Sequence, residues 1–290
     1  MLAHMRMRIV LVSVAMISAA VLAAGCGGEE SGESGQTEIV AGFYPLAYAA
    51  EQIGGNGVDV ANLTPPGVEP HDLELSVRDA ERIRAADLVL YLGQGFQPAL
   101  EEAAKETEGR ALDLLSTQTA LRAGDPHVWL DPLRYADAVK RVGDALGKPQ
   151  AARTLVERLR ALDAELTRGL AECDRRELVT SHDAFGYLAE RYGLEQVPIT
   201  GISPEAEPSP RNLERVARLA RELGVTTIYF ETLVSPEVAE TVAREVGAET
   251  AVLDPLEGLS DQDLADGEDY FSVMRANLRA LQEGLGCRQH

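Results

Sequence analysis

The chain of 290 residues is short of histidine, cysteine and positive charge: five His, three Cys, and 27 Lys plus Arg against 47 Asp plus Glu. Two of the basic residues, Arg6 and Arg8, sit at the extreme N-terminus, so the body is more acidic still. A net charge of −20 repels a phosphate backbone and argues against nucleic acid as a partner. Such a surface attracts cations only weakly and without selectivity. Nucleotide signatures are missing as well. No Gly-x-Gly-x-x-Gly follows a predicted strand and no Gly-x-x-x-x-Gly-Lys-Ser/Thr occurs, so no dinucleotide or nucleotide phosphate site is expected. There is no Gly-x-Ser-x-Gly elbow either. The apolar run from Ile9 to Ala24 is about 16 residues long, short of the roughly 20 that a bilayer-spanning helix needs.

What is present at the N-terminus is a leader. Arg6 and Arg8 precede the apolar run, and small residues lead from it to Cys26. This is a signal-peptide layout over residues 1–25. Leu22-Ala23-Ala24-Gly25-Cys26 resembles the lipobox of bacterial lipoproteins, which implies cleavage before Cys26 and lipid on its thiol; an ordinary signal peptide cut nearby, or an uncleaved anchor, is the alternative. Gly27 to Gln36 carries no apolar side chain, so residues 26–36 are predicted to be a lipidated cysteine and a flexible tether. One lipid chain alone holds weakly. Cys173 and Cys287 remain. Two cysteines in an exported chain often pair; a bridge here would pin the last helix to the start of the second half, and two separate thiols are the alternative.

From residue 37 onward short apolar strands alternate with helical patterns. Strands are predicted at Glu38–Ala41, Val58–Leu63, Asp87–Leu92 and Ala111–Leu114, then at Glu177–Thr180, Gln196–Ile199, Thr226–Phe230 and Thr250–Leu253. Helices are expected over Leu46–Ile53, from an N-cap at Ser76 to Ala85, and from Gly93 to Glu106. Four more are expected over Ala184–Tyr192, Pro210–Leu223, Pro236–Val246 and Asp269–Leu285. This alternation predicts an α/β fold with parallel sheets covered by helices. Between the halves, residues 132–173 read as helical with a break at Gly147-Lys148-Pro149. After the break, Leu155, Leu159, Leu162, Leu166 and Leu170 form one stripe, predicting a long amphipathic helix able to cross from one α/β lobe to another.

Only three histidines lie inside the body, since His4 and His290 are terminal. They are His71 in Val68-Glu69-Pro70-His71-Asp72-Leu73-Glu74, His127 in Asp125-Pro126-His127-Val128-Trp129-Leu130-Asp131-Pro132, and His182 in Thr180-Ser181-His182-Asp183-Ala184-Phe185-Gly186. Each is read as lying near a strand end, where open α/β sheets collect ligands. A ligating imidazole needs an orienting partner on its other nitrogen. Carboxylates are available nearby: Glu69, Asp72 and Glu74; Asp125 and Asp131; Asp183. The spacing matches no local zinc signature, and a lone histidine at a strand end is more often capped or solvated than a ligand.

These three segments, with Pro65-Pro66-Gly67 before the first and Tyr187 after the third, resemble the zinc/manganese family of ABC-transporter substrate-binding lipoproteins, and within it the ZnuA-like zinc branch. The resemblance runs from about Glu38 to Leu285. It implies two Rossmann-like α/β lobes (residues 37–147 and 173–290) joined by one long rigid helix (148–172), with a metal ion in the cleft between them. It implies His71 and His127 as ligands from the first lobe and His182 from the second. For a fourth ligand, Glu257 in Leu253-Asp254-Pro255-Leu256-Glu257-Gly258 is preferred and Glu231 is the runner-up. The resemblance further implies a monomeric, non-enzymatic receptor outside the cytoplasmic membrane that passes Zn2+ to an ABC permease. Three imidazoles favour zinc over manganese, which prefers oxygen ligands; a manganese receptor is the alternative. A zinc hydrolase with Glu257 or Glu231 as general base is a more distant one, and an adhesin has no direct support in the residues. In one respect the chain departs from many zinc members: Gly95 to Asp125 contains no histidine, so it lacks their His-rich loop.

Overall fold

A computed structural model describes residues 35–288. The expected signal peptide, Cys26 and nearly all of the expected tether lie outside the described residues, as do His4 and His290. Two four-stranded parallel sheets organise the rest. In the first, β1 (Thr37–Ala41), β2 (Val58–Asn62), β3 (Leu88–Tyr91) and β4 (Arg110–Asp113) lie in the order β2-β1-β3-β4. In the second, β5 (Glu177–Thr180), β6 (Glu195–Pro198), β7 (Thr227–Phe230) and β8 (Glu249–Val252) lie in the order β6-β5-β7-β8. The two orders are equivalent, so each half reverses its winding beside its own first strand. Register is carried by pairs such as Val40 with Val89 and Val179 with Ile228. Inner strands read as continuous apolar runs because helices cover both faces of a parallel sheet.

The first sheet is flanked by α1 (Tyr44–Gly54), α2 (Val77–Ala85) and α3 (Pro98–Ala103). Ser76 caps α2 in a box closed by Asp79. The expected helix from Gly93 begins only at Pro98, because Gln94 (φ 65°) and Gly95 (φ 86°) are left-handed and cannot start a helical turn. Next come α4 (Pro132–Ala145), capped by Asp131, and α5 (Pro149–Gly169). At 21 residues α5 is about 32 Å long. It stops short of Cys173: the Arg176 guanidinium donates to the carbonyls of Leu170 (2.8 Å) and Ala171 (2.6 Å) and ends the helix there. Cys173 instead forms an antiparallel bridge and a disulfide with Cys287.

The second half carries α6 (Gly186–Tyr192), α7 (Pro210–Glu222), α8 (Glu237–Val246), α9 (Asp261–Ala265) and α10 (Tyr270–Leu285). Gly193 and Gly247 end α6 and α8 in the left-handed region that glycine enters without a Cβ penalty. The short α9 was not expected; it is capped by Ser260 and Asp263. The leucine stripe of α5 is buried, with Leu159, Leu162 and Leu166 fully enclosed. It belongs to one apolar core that also takes in Ile39 and Leu90 of the first sheet, Leu178 of the second, and Tyr270, Met274 and Leu281 of α10. The crossing helix is thus the shared floor of both halves.

Candidate metal centre

The site collects four side chains from four connections. His71 lies on the β2–α2 loop, nine residues beyond its strand, and His127 just before a 3-10 turn at Val128–Leu130. Of the three histidines, only His182 follows a strand end closely, two residues after β5. Glu257 lies on the loop after β8. Together they offer one ligand atom each, all within 4.8 Å of one another. His127, His182 and Glu257 are buried, and the His71 side chain is 8% exposed, so His71 marks the mouth.

Glu257 Oε1 stands 3.1 Å from His71 Nε2, 3.0 Å from His127 Nε2 and 3.5 Å from His182 Nε2. A tetrahedral ion with ligand bonds of about 2.0–2.1 Å separates its ligands by roughly 3.3–3.4 Å. The three edges that run from Glu257 Oε1 therefore already match those of a zinc-sized tetrahedron. His182 Nε2 and Glu257 Oε2 are buried without a hydrogen-bond partner, which costs free energy unless a cation satisfies them.

Two imidazoles are oriented from behind. His127 Nδ1 lies 2.8 Å from Asp125 Oδ1, which also accepts the His127 backbone N–H at 3.0 Å. His182 Nδ1 lies 2.8 Å from Glu231 Oε1, which also accepts from Ser181 Oγ at 2.6 Å. A carboxylate only accepts, so Nδ1 keeps a proton on each ring, and once the Nε2 proton leaves, the lone pair it uncovers faces the centre. Glu231 thus lies behind His182 rather than among the four converging groups. Asp131 caps α4 and pairs with Arg191 instead of holding His127. Glu69 accepts the His71 backbone N–H at 2.8 Å. Burial, then the charge of Glu257, pushes the Glu69 carboxyl up to about 9. Burial also works to raise Glu257, but His182 and hydrogen bonds from the histidines outweigh it and hold it well below the carboxylate range.

Residues 39–284 match the family described as zinc-uptake complex component A periplasmic, ZnuA. The chain belongs to this family. It is 33% identical to the zinc-binding protein AdcA of Streptococcus pyogenes over 287 residues, covering 86% of this chain and 56% of that protein. It thus spans just over half the length of that relative. The high-affinity zinc uptake system protein ZnuA of Bacillus subtilis is also 33% identical, with 91% of this chain and 94% of that one covered. The Zn(II)-bound ZnuA-like domain of Streptococcus pneumoniae AdcA superposes with a TM-score of 0.75 at 34% identity, covering 87% of this chain and 99% of that domain. The laminin-binding protein Lmb of Streptococcus agalactiae, described as having adhesin and metal-transporting activity, gives 0.79 at 29% identity, covering 86% and 99%.

Within this ZnuA-family fold, some supporting residues carried no local signal. Trp129 Nε1 donates to Pro255 O at 2.7 Å and fastens the Glu257 loop from the first half. Asn277 of α10 holds the backbone of Asp254 on both sides, at 2.8 and 2.7 Å. Trp129, the single tryptophan, stands inside the His127 motif and could have been suspected; Asn277 is one polar residue in an amphipathic helix and could not.

Proposed function

We propose that this chain is the extracytoplasmic receptor of an ABC zinc importer, with His71, His127, His182 and Glu257 as the ligands of a captured Zn2+ ion. The observation that carries this reading is the convergence of three Nε2 atoms on Glu257 Oε1 at 3.0–3.5 Å. Three nitrogens and one oxygen in a largely buried pocket suit zinc better than manganese. A fourth protein ligand leaves no open position for a reacting water, which is why the reading is transport and not hydrolysis. Residues 37–147 and 173–290 act as lobes on either side of the helix at 148–172. Lipid on Cys26 and the tether behind it keep a monomer near the permease that receives the ion. The buried α5 stripe resists a wide hinge, so release needs only a small lobe shift or loop movement; a cleft locked by engineered disulfides that still delivered zinc at full rate would contradict this.

Metal analysis of the purified mature protein tests the assignment. One zinc per chain is expected, together with a His182→Glu variant that loses zinc affinity and gains preference for manganese. Unchanged zinc affinity in that variant would remove His182 from the ligand set.

A further inference from the structure

His71 differs from the other two histidines: among the described residues no carboxylate meets its Nδ1. Its ring is instead met by the edge of Phe96, with centroids 4.7 Å apart and planes at 80°. The next residue, Gln97, is 1% exposed. It stands at the N-cap of α3, yet its side chain makes no capping bond. The carboxamide is turned inward. Nε2 lies 3.1 Å from Gly42 O, 3.2 Å from Pro70 O and 3.4 Å from Thr64 Oγ1. Backbone carbonyls only accept, so the NH2 end must be the one that faces them. Thr64 Oγ donates to the same Gly42 carbonyl at 2.7 Å. One amide therefore ties together the end of β1, the start of the β2–α2 loop at Thr64, and its far side at Pro70, the residue before His71.

Gln97 Oε1 is buried without a partner. A native core tolerates such a group when its other end performs a task that an apolar side chain cannot. The close fit extends to Gly42: a Cβ there would stand 2.3 Å from Gln97 Oε1 and 2.8 Å from Leu100 Cδ2. Gly42 is the space the carboxamide occupies. The β2–α2 loop otherwise has few anchors near the site, among them the bond from Gly67 N to Leu259 O at 3.0 Å.

We infer that Gln97 is a positioning residue for His71, acting through the Pro70 carbonyl in place of the carboxylate partners that His127 and His182 possess. The inference rests on His71 being a zinc ligand. Without the Gln97 N–H donors the loop keeps its sequence but loses its register against β1, and the His71 Nε2 lone pair no longer meets the other three ligands.

A double-mutant cycle on the mature protein tests it, with Zn2+ affinity read by chelator competition and folding read by the melting temperature without metal. Gln97→Met, similar in volume but without donors, is expected to weaken zinc binding about 10- to 100-fold, the usual effect of losing a supporting partner. In a His71→Ala background the same change is expected to cost nothing further, because its route to the ion is gone. Gly42→Ala, which displaces the carboxamide, should give the same pattern and replaces Gln97→Met in the cycle if that variant does not fold. An equal loss with and without His71 means a general structural role and overturns the inference, as does full affinity in Gln97→Met. Wild-type affinity in His71→Ala alone overturns the ligand assignment itself, and the inference with it.

Discussion

At the scale of single residues, protons and the proposed cargo compete for the same nitrogens. Burial works to lower the His182 imidazole, but the charge of Glu257 and the hydrogen bond to Glu231 outweigh it and push it up to about 10. His127 is raised likewise by Asp125 and Glu257 against burial. An incoming ion must displace these protons, so zinc affinity should fall steadily as pH drops from 8 to 6, by up to about tenfold per unit for each proton released. Chelator competition at several pH values reads this directly, and a flat profile would contradict ligation by three imidazoles. The same shift gives the metal-free fold a contribution that is complete below about 6.5, the unfolded value. That contribution is lost as pH rises toward about 10, because the folded state then no longer holds the extra proton.

At the scale of elements, α5 is where pattern and packing agree most closely. Leu162, fully buried in the stripe, should cost about 2–5 kcal/mol when cut to Ala, from lost burial and the cavity left behind. Urea unfolding would measure that loss. Zinc affinity should stay the same in the folded variant, because α5 supplies no ligand. The strands were legible for a related reason: a strand buried on both faces must be apolar where it is covered, as Leu88-Val89-Leu90 and Leu178-Val179 are. Where the reading slipped, the determining feature lay outside the apolar pattern. The end of α5 is set by Arg176, six residues past Leu170, and the start of α3 by the left-handed pair Gln94 and Gly95. The five residues of α9 are too few for a hydrophobic period to register.

At the scale of the whole molecule, the two halves are joined at their base and at the site. Cys173 and Cys287, 114 residues apart, close the C-terminus onto the beginning of the second half. Replacing both with Ser should lower stability by about 2–5 kcal/mol, since a long loop is freed in the unfolded chain. Zinc affinity should not change, because neither cysteine touches the ligands or their supports; a large loss of affinity would show that the staple reaches the cleft. Near the site, Tyr187 of α6 donates to the Asp125 carbonyl at 3.1 Å and accepts the Arg122 N–H at 2.9 Å. Gly186 leaves room for that contact, since a Cβ there would stand 2.5 Å from Arg122 Nε. The backbone of Asp125, whose carboxylate orients His127, is therefore held by a side chain of the second half.

The order of strands and helices and the crossing helix were written in local pattern, because apolar period and turn chemistry act between near neighbours in the chain, whereas the three histidines stood out as a set through the family resemblance. Which carboxylate joins the histidines was not written in local pattern. Glu231 and Glu257 both follow strands, and position along the chain made Glu257 the preferred ligand without excluding Glu231. In the fold, Glu231 leaves β7 directly beside β5 and meets the back of the His182 ring, whereas Glu257 rides a longer loop that Trp129 and Asn277 draw over the front. That difference comes from strand order and from contacts 23 to 126 residues apart, so only the packed molecule could decide it.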